Sequence, residues 1–215
     1  LDPRIEIVPA KSPPTEFDYH VALLSLPMAF GTRLDNIPAH APYLRADAQD
    51  VEKWRRKIGG DGFKIGVSWQ GSAYSAERSF PLASLAGIAG LPGVRLISLQ
   101  KGAGSEQLSA LPAGMHVETL GPDYESGDFA ATAAVMEALD LVISCDTAMA
   151  HLAGALARPT WVALRDAAEW RWLQDRDDSP WYPGMRLFRQ ARRGNWDSVF
   201  TAMETQPPLN LKVRS

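Results

Sequence analysis

The chain has 215 residues, 46% apolar and 22% charged, with a formal net charge of −3 at pH 7. That composition is ordinary for a globular protein with one substantial core, or one core plus part of another. The weak negative charge argues against nucleic acid or an anionic membrane as partner. The single cysteine, Cys145, rules out an internal disulfide and fits a reducing compartment. No apolar run approaches membrane-spanning length and the first residues carry no signal-peptide pattern, so a cytoplasmic protein without membrane insertion is expected. The absence of an initiator Met suggests a fragment or a processed chain.

Residues 1–45 read unlike the rest. Residues 1–18 are Pro-rich and irregular, 19–27 form a short apolar run suited to a strand, and Pro38 and Pro42 forbid a long helix. A helix is expected over 47–58, from its acidic start, its basic end and the Gly59-Gly60 stop. From Phe63 onward short apolar runs alternate with helical segments. Strands are predicted at 63–69, 94–99, 115–119, 141–145, 160–164 and 185–188. Helices are predicted at 81–89, 105–111, 128–139, 147–157, 167–173 and 196–204. This pattern predicts an α/β fold with a Rossmann-like parallel sheet and helices on both faces. Two domains are expected, 1–45 and 46–215.

The segment from Ile143 to Leu164 concentrates the chemistry. An apolar strand ends on Asp146-Thr147, a helix of small residues begins at once, and His151 sits one turn in. Strand ends of parallel sheets open crevices, and a helix N-terminus offers free N–H groups and a positive dipole end to an anion. Thr147 and His151 are four residues apart, which places both on one helical face, within reach of one phosphate. On that reading, His151→Ala weakens diphosphate binding and leaves unfolding nearly unchanged. Residue by residue the plainer alternatives are a helix cap and a structural histidine.

Three further segments join it. The loop after the first strand holds Gln70, Gly71, Ser72, Ser75, Arg78 and Ser79, a Gly/Ser-rich loop with one guanidinium that suits a phosphate. The first and fourth strands of such a sheet open onto one crevice. Gln100 and Lys101 end the next strand, where they face a base or ribose or simply finish the strand. Trp170, Trp172, Trp181, Tyr182 and Trp196 are expected to pack the C-terminal helix and loop against the body, with a sugar-stacking platform as the alternative. Walker A, GxGxxG after a strand, zinc-ligand spacing and the GxSxG elbow are absent, leaving an anionic small molecule, best a nucleotide.

The run DTAMAHLAGALARP, with SWQGS and ERSFPL upstream, SLQKG between and DSPWYPGMRLFRQ downstream, resembles the glycosyltransferase module that follows tetratricopeptide repeats in bacterial proteins. More distantly it is similar to heptosyltransferases and to protein O-linked N-acetylglucosamine transferases. The resemblance covers roughly residues 18–196 and implies the C-terminal half of a GT-B fold. It implies that Asp146, Thr147, Ala148 and His151 contact the donor diphosphate and sugar, with Arg78 facing the phosphates. It places Gln70 and Ser72 in the donor pocket and Gln100 and Lys101 near the nucleoside. In the heptosyltransferase pattern a glycine stands where this chain has Ala148.

The implied reaction is inverting, metal-independent hexosyl or heptosyl transfer from a nucleotide sugar, the substrate rather than a cofactor, to a protein or glycan acceptor. The catalytic base is expected from an N-terminal domain of which residues 1–45 are a remnant. Asp35 and His20 are the two candidates for that base within the remnant. Two other readings stay open: a catalytically silent nucleotide-binding or interaction module of a repeat protein, and a sugar-nucleotide epimerase-like enzyme.

Overall fold

The computed structural model describes residues 4–206 apart from 10 and 13, and leaves out the side chains of 73–75. The remaining residues of the irregular N-terminal segment, and 207–215 of the expected second domain, lie outside the described set, as does the Ser75 side chain. Contacts divide the chain into Leu1–Ala39 and His40–Ser215.

In the first unit, the apolar run at 19–27 is not a strand. It forms a 3-10 turn, Leu23–Ser25, that runs into α1, Leu26–Ala29. Pro27 occupies the first turn of α1, where its missing N–H costs nothing. A short apolar run carries no periodicity that separates helix from strand.

The second unit is a six-stranded, wholly parallel sheet. Its elements in order are α2 (Ala48–Ile58), β1 (Phe63–Ser68), α3 (Ala86–Ala89), β2 (Val94–Ser98) and β3 (Val117–Glu118). Then follow α4 (Pro122–Glu125), α5 (Phe129–Glu137), β4 (Leu141–Cys145), α6 (Ala148–Ala155), β5 (Thr160–Leu164), β6 (Met185–Arg189) and α7 (Trp196–Glu204). The strand order is β3-β2-β1-β4-β5-β6, with Val67 opposite Ile143 and Cys145 opposite Ala163.

Local chemistry sets these elements. Asp47 caps α2 by accepting from Gln49 N and Asp50 N at 2.8 and 3.3 Å, and Gly59 ends the helix at φ +82°. Val51, Trp54 and Ile58 fall on one stripe of it and are buried. Asp128 caps α5 through Ala130 N and Ala131 N at 2.9 and 3.0 Å. All five residues of β4 are buried because it is central and covered on both faces.

Alternation along the strands divides the core into two faces. Ile65, Val67, Leu141, Ile143 and Trp161 pack under α7 and the 3-10 turn Leu82–Leu85 that leads into α3. Ile97 and Val142 pack under α2, α5 and α6, and Val162, Leu164 and Leu187 pack with Trp172 and Ala150. Small residues let α6 lie close: a Cβ on Gly154 would stand 2.5 Å from the Tyr182 ring.

Several expected helices are tighter or shorter than predicted. Residues 81–89 begin as the 3-10 turn with Pro81 at its N-cap, and 105–111 hold only a 3-10 turn, Ser105–Ser109. The helix expected at 167–173 is one 3-10 turn, Trp170–Trp172, because Leu173 turns to φ +54°. The strand expected at 115–119 is paired only at Val117 and Glu118. The loop after β1 carries an unanticipated 3-10 helix, Ala73–Arg78. Residues 40–46, expected mostly with the N-terminal segment, are held in the second unit. Tyr43 N and Leu44 N donate to Ala155 O, and Ala46 N donates to the Glu137 carboxylate at 2.8 Å.

Candidate ligand cleft

The chain leaves β1 for β2 and β3 on one side of the sheet, and leaves β4 for β5 and β6 on the other. The loops at the C-terminal ends of β1 and β4 therefore diverge, and a crevice opens between them. Here it is a cleft of about 530 Å³. The loop after β1 contributes Gln70, Gly71, Ser72 and Arg78, and the end of β2 contributes Gln100 and Lys101. Asp146, Thr147, Ala148 and Met149 close the opposite wall. Eight of the nine residues that the resemblance assigns to the donor site thus line one cleft, His151 being the ninth. Leu99, Ala103 and Met149 line it as well, and nothing in their residue types announces it.

Two groups give the cleft its electrostatic character. Arg78 Nε lies 3.8 Å from Asp146 Oδ2, with the Asp146 side chain 5% exposed and that of Arg78 31% exposed. Both atoms are buried and make no hydrogen bond among the described residues, so a donor and an acceptor stand side by side. The other is the N-terminus of α6. Thr147 is its N-cap but makes no capping bond, because its hydroxyl turns back toward Ser144 Oγ and Cys145 O at 3.3 and 3.4 Å. The first amides of a helix have no intrahelical partner, and Ala148 and Met149 line the cleft. Gly71 keeps the two loops close, since a Cβ there would be 3.1 Å from the Thr147 methyl.

Gln100 and Lys101 line the cleft but are committed to the fold. Gln100 Oε1 accepts from Trp69 N and Gln70 N at 3.1 and 3.0 Å. Its Nε2 donates to Gln70 O and Ala103 O at 3.1 and 2.8 Å, so all four bonds of the amide are made. Lys101 Nζ donates to Gly127 O at 2.8 Å and sits 4.1 Å above the Tyr124 ring. Burial holds its pKa below the usual lysine range.

His151 is placed elsewhere. Its ring stacks on Trp172 with centroids 5.0 Å apart and planes 17° apart, and its Nδ1 lies 3.2 Å from the Tyr182 hydroxyl. Burial lowers its pKa, so the neutral imidazole is favoured. Burial, and then a hydrogen bond with Tyr43, push the Tyr182 phenol up. His151 is not among the residues lining the cleft, although the charges of Asp146 and Arg78 reach it. Of the late aromatics, Trp172 is fully buried and Trp196 packs edge-on to Phe80. Trp170 is 49% exposed and meets Trp181 edge-on.

A parallel sheet with this strand order and a cleft at its switch point defines a Rossmann-like α/β domain. Residues 43–164, more than half of the chain, match glycosyltransferase family 9 (heptosyltransferase), and the chain belongs to that family. It is 28% identical over 196 residues to Protein FlbA of Caulobacter vibrioides, covering 88% of this chain and 33% of FlbA. The chain therefore spans about a third of the length of that curated relative. Among solved structures it is similar to E. coli ADP-heptose lps heptosyltransferase II, with a TM-score of 0.57 and 16% identity over 78% of this chain and 52% of that one. It is also similar to a family 9 glycosyl transferase from Veillonella parvula, with a TM-score of 0.51 and 14% identity over 68% and 42% of the two chains. At these identities the structural likeness establishes the fold, the parallel α/β architecture of a GT-B half.

Proposed function

We propose that the unit His40–Ser215 forms the nucleotide-sugar-binding half of an inverting, metal-independent glycosyltransferase, with the donor diphosphate in the cleft between Arg78 and the N-terminus of α6. The observation that carries this reading is the pairing of Arg78 with the uncapped start of α6 at the switch point of the sheet. A guanidinium and helix amides together match a diphosphate in geometry and in charge. The neighbouring Asp146 oxygen, an acceptor without a hydrogen bond, suits a donor-sugar hydroxyl beside those phosphates. Gln70 and Ser72 complete the wall. Gln100 and Lys101 shape the nucleoside end, chiefly by holding the loops after β1 and β2.

In this mechanism an acceptor hydroxyl attacks the anomeric carbon from the face opposite the diphosphate. The carbon–oxygen bond to the diphosphate breaks, and the leaving oxygen takes the electron pair. Arg78 and the amides of Ala148 and Met149 stabilise that charge where it develops. A general base takes the acceptor proton, and with the acceptor site it is assigned to the other half of the GT-B fold. FlbA is about three times as long as the matched region. That length accommodates both this half and the repeat array implied by the sequence resemblance. The substrates are a nucleotide sugar and a protein or glycan acceptor. Incubation of a full-length protein with a labelled nucleotide sugar, followed by NMR of the product's anomeric signal, tests the reading. A product of inverted configuration supports it; retained configuration, or donor binding outside the Arg78 cleft, overturns it.

A further inference from the structure

At the opposite ends of the strands, where β4 and β5 begin, a second pocket of about 380 Å³ collects three arginines: Arg45, Arg55 and Arg158. Arg158 precedes β5 and donates from Nη2 to Leu139 O, just past the end of α5. That bond uses one of its five donors. Its Nε is buried and makes no hydrogen bond among the described residues, and burial lowers its pKa. Neither Arg45 nor Arg55 has an ion pair or side-chain hydrogen bond among the described residues. Glu137 is the single carboxylate in the lining, and its Oε1 already accepts from Ala46 N at 2.8 Å. The nearby Asp140 is paired with Lys64 at 3.3 Å.

Three guanidinium groups against one carboxylate leave a formal excess of two positive charges, obtained as three minus one. Glu137 and Asp140 act on Arg158, while Arg55 repels it, and a dianion offsets the excess that remains. The pocket is larger than a bare phosphate needs and falls in the range of small-molecule sites, about 300–1,000 Å³. Its wall carries apolar surface from Leu44 and Val51 beside the charges.

We propose that this pocket binds a phosphomonoester, its phosphate held by the guanidinium groups of Arg45, Arg55 and Arg158, and its organic part against Leu44 and Val51. A phosphomonoester carries about −1.5 to −2 charges at pH 7, which matches the excess. Bidentate guanidinium–phosphate geometry favours it over a single carboxylate. The site is separate from the cleft, which lies at the C-terminal ends of the strands.

The test is a titration of the 15N-labelled chain with phenyl phosphate and with inorganic phosphate, followed by NMR at Arg158 Nε–H and Ala46 N–H. The expected result is saturable shifts at both positions, tighter for phenyl phosphate. Arg45→Gln and Arg55→Gln, both at exposed positions, are each expected to weaken binding by about tenfold. Arg55→Lys retains more of it, and Arg78→Gln leaves these shifts unchanged. Shifts confined to Ala148 and Met149, shifts that Arg45→Gln and Arg55→Gln do not weaken, or equal binding of the two probes overturn the proposal.

Discussion

Substituting His151 separates a role in packing from a role in the cleft. The imidazole stacks on Trp172 and hydrogen-bonds Tyr182, each contact worth about 0.5–1.5 kcal/mol. His151→Ala also leaves a hole between α6 and the β5–β6 connection. Together these put the loss of stability at about 2–4 kcal/mol. For a chain of this length that corresponds to a fall in Tm of roughly 4–16 °C. Diphosphate affinity is expected to change by less than about threefold, since the ring is outside the cleft lining. Thermal unfolding and calorimetric titration of one preparation measure both quantities. An unchanged Tm with an affinity loss of tenfold or more would refute the packing role and restore the direct phosphate contact that the spacing suggests.

The same residue carries a pH signature. Burial, ahead of the charges of Asp146, Arg171, Glu169 and Arg78, sets its folded pKa below the ordinary 6.5. Above pH 6.5 both states are neutral and the group gives no slope. As pH falls below that value the unfolded state takes up a proton that the folded state refuses, and stability declines until the lowered folded value is reached. Denaturant unfolding between pH 7 and 5 is expected to show this decline and to lose part of it in His151→Gln; an equal slope in both proteins would count against it.

Other expectations follow from the same contacts. Arg78→Gln removes a charge-assisted phosphate bond worth about 1.5–3 kcal/mol, so diphosphate affinity should fall roughly 10- to 100-fold by calorimetry. It also leaves buried Asp146 unpaired, costing about 1–2 kcal/mol because Arg78 is partly exposed, and adding Asp146→Asn should recover most of that in chemical denaturation. Gly154→Ala presses a methyl against the Tyr182 ring and Met185 Cε, 2.5 and 2.6 Å from the new Cβ, and should destabilise by about 1–3 kcal/mol; an unchanged midpoint would mean α6 moves freely. Burial pushes the Cys145 thiol up to about 12, so alkylation at neutral pH should track global unfolding, and rapid labelling of the native protein would contradict its placement in β4.

The sheet was legible because β4 and β5 are mainly apolar runs bounded by polar or Pro residues, and both occupy the predicted residues. The cleft was legible through topology more than residue type. Once the strands after Phe63 are parallel, the loops after the first and fourth fall at the switch point, carrying Gln70, Ser72, Arg78, Asp146 and Thr147 with them. What escaped depends on partners distant in sequence. Gln100 reads as a ligand-facing amide until Trp69 N, Gln70 and Ala103 are seen to use all its bonds. The stacking of His151 on Trp172 and its contact with Tyr182 come from residues beyond β5 and leave no local signal. The pocket of Arg45, Arg55 and Arg158 joins residues more than a hundred positions apart, and no local pattern signals it.

The central claim is that a nucleoside diphosphate sits between Arg78 and the start of α6. Its most direct test is calorimetric titration of the chain with UDP, GDP, ADP and CDP, repeated with Arg78→Gln. Saturable one-to-one binding of at least one diphosphate, weakened at least tenfold by Arg78→Gln, is the expected result. No binding by any of the four, or binding indifferent to Arg78, would contradict it.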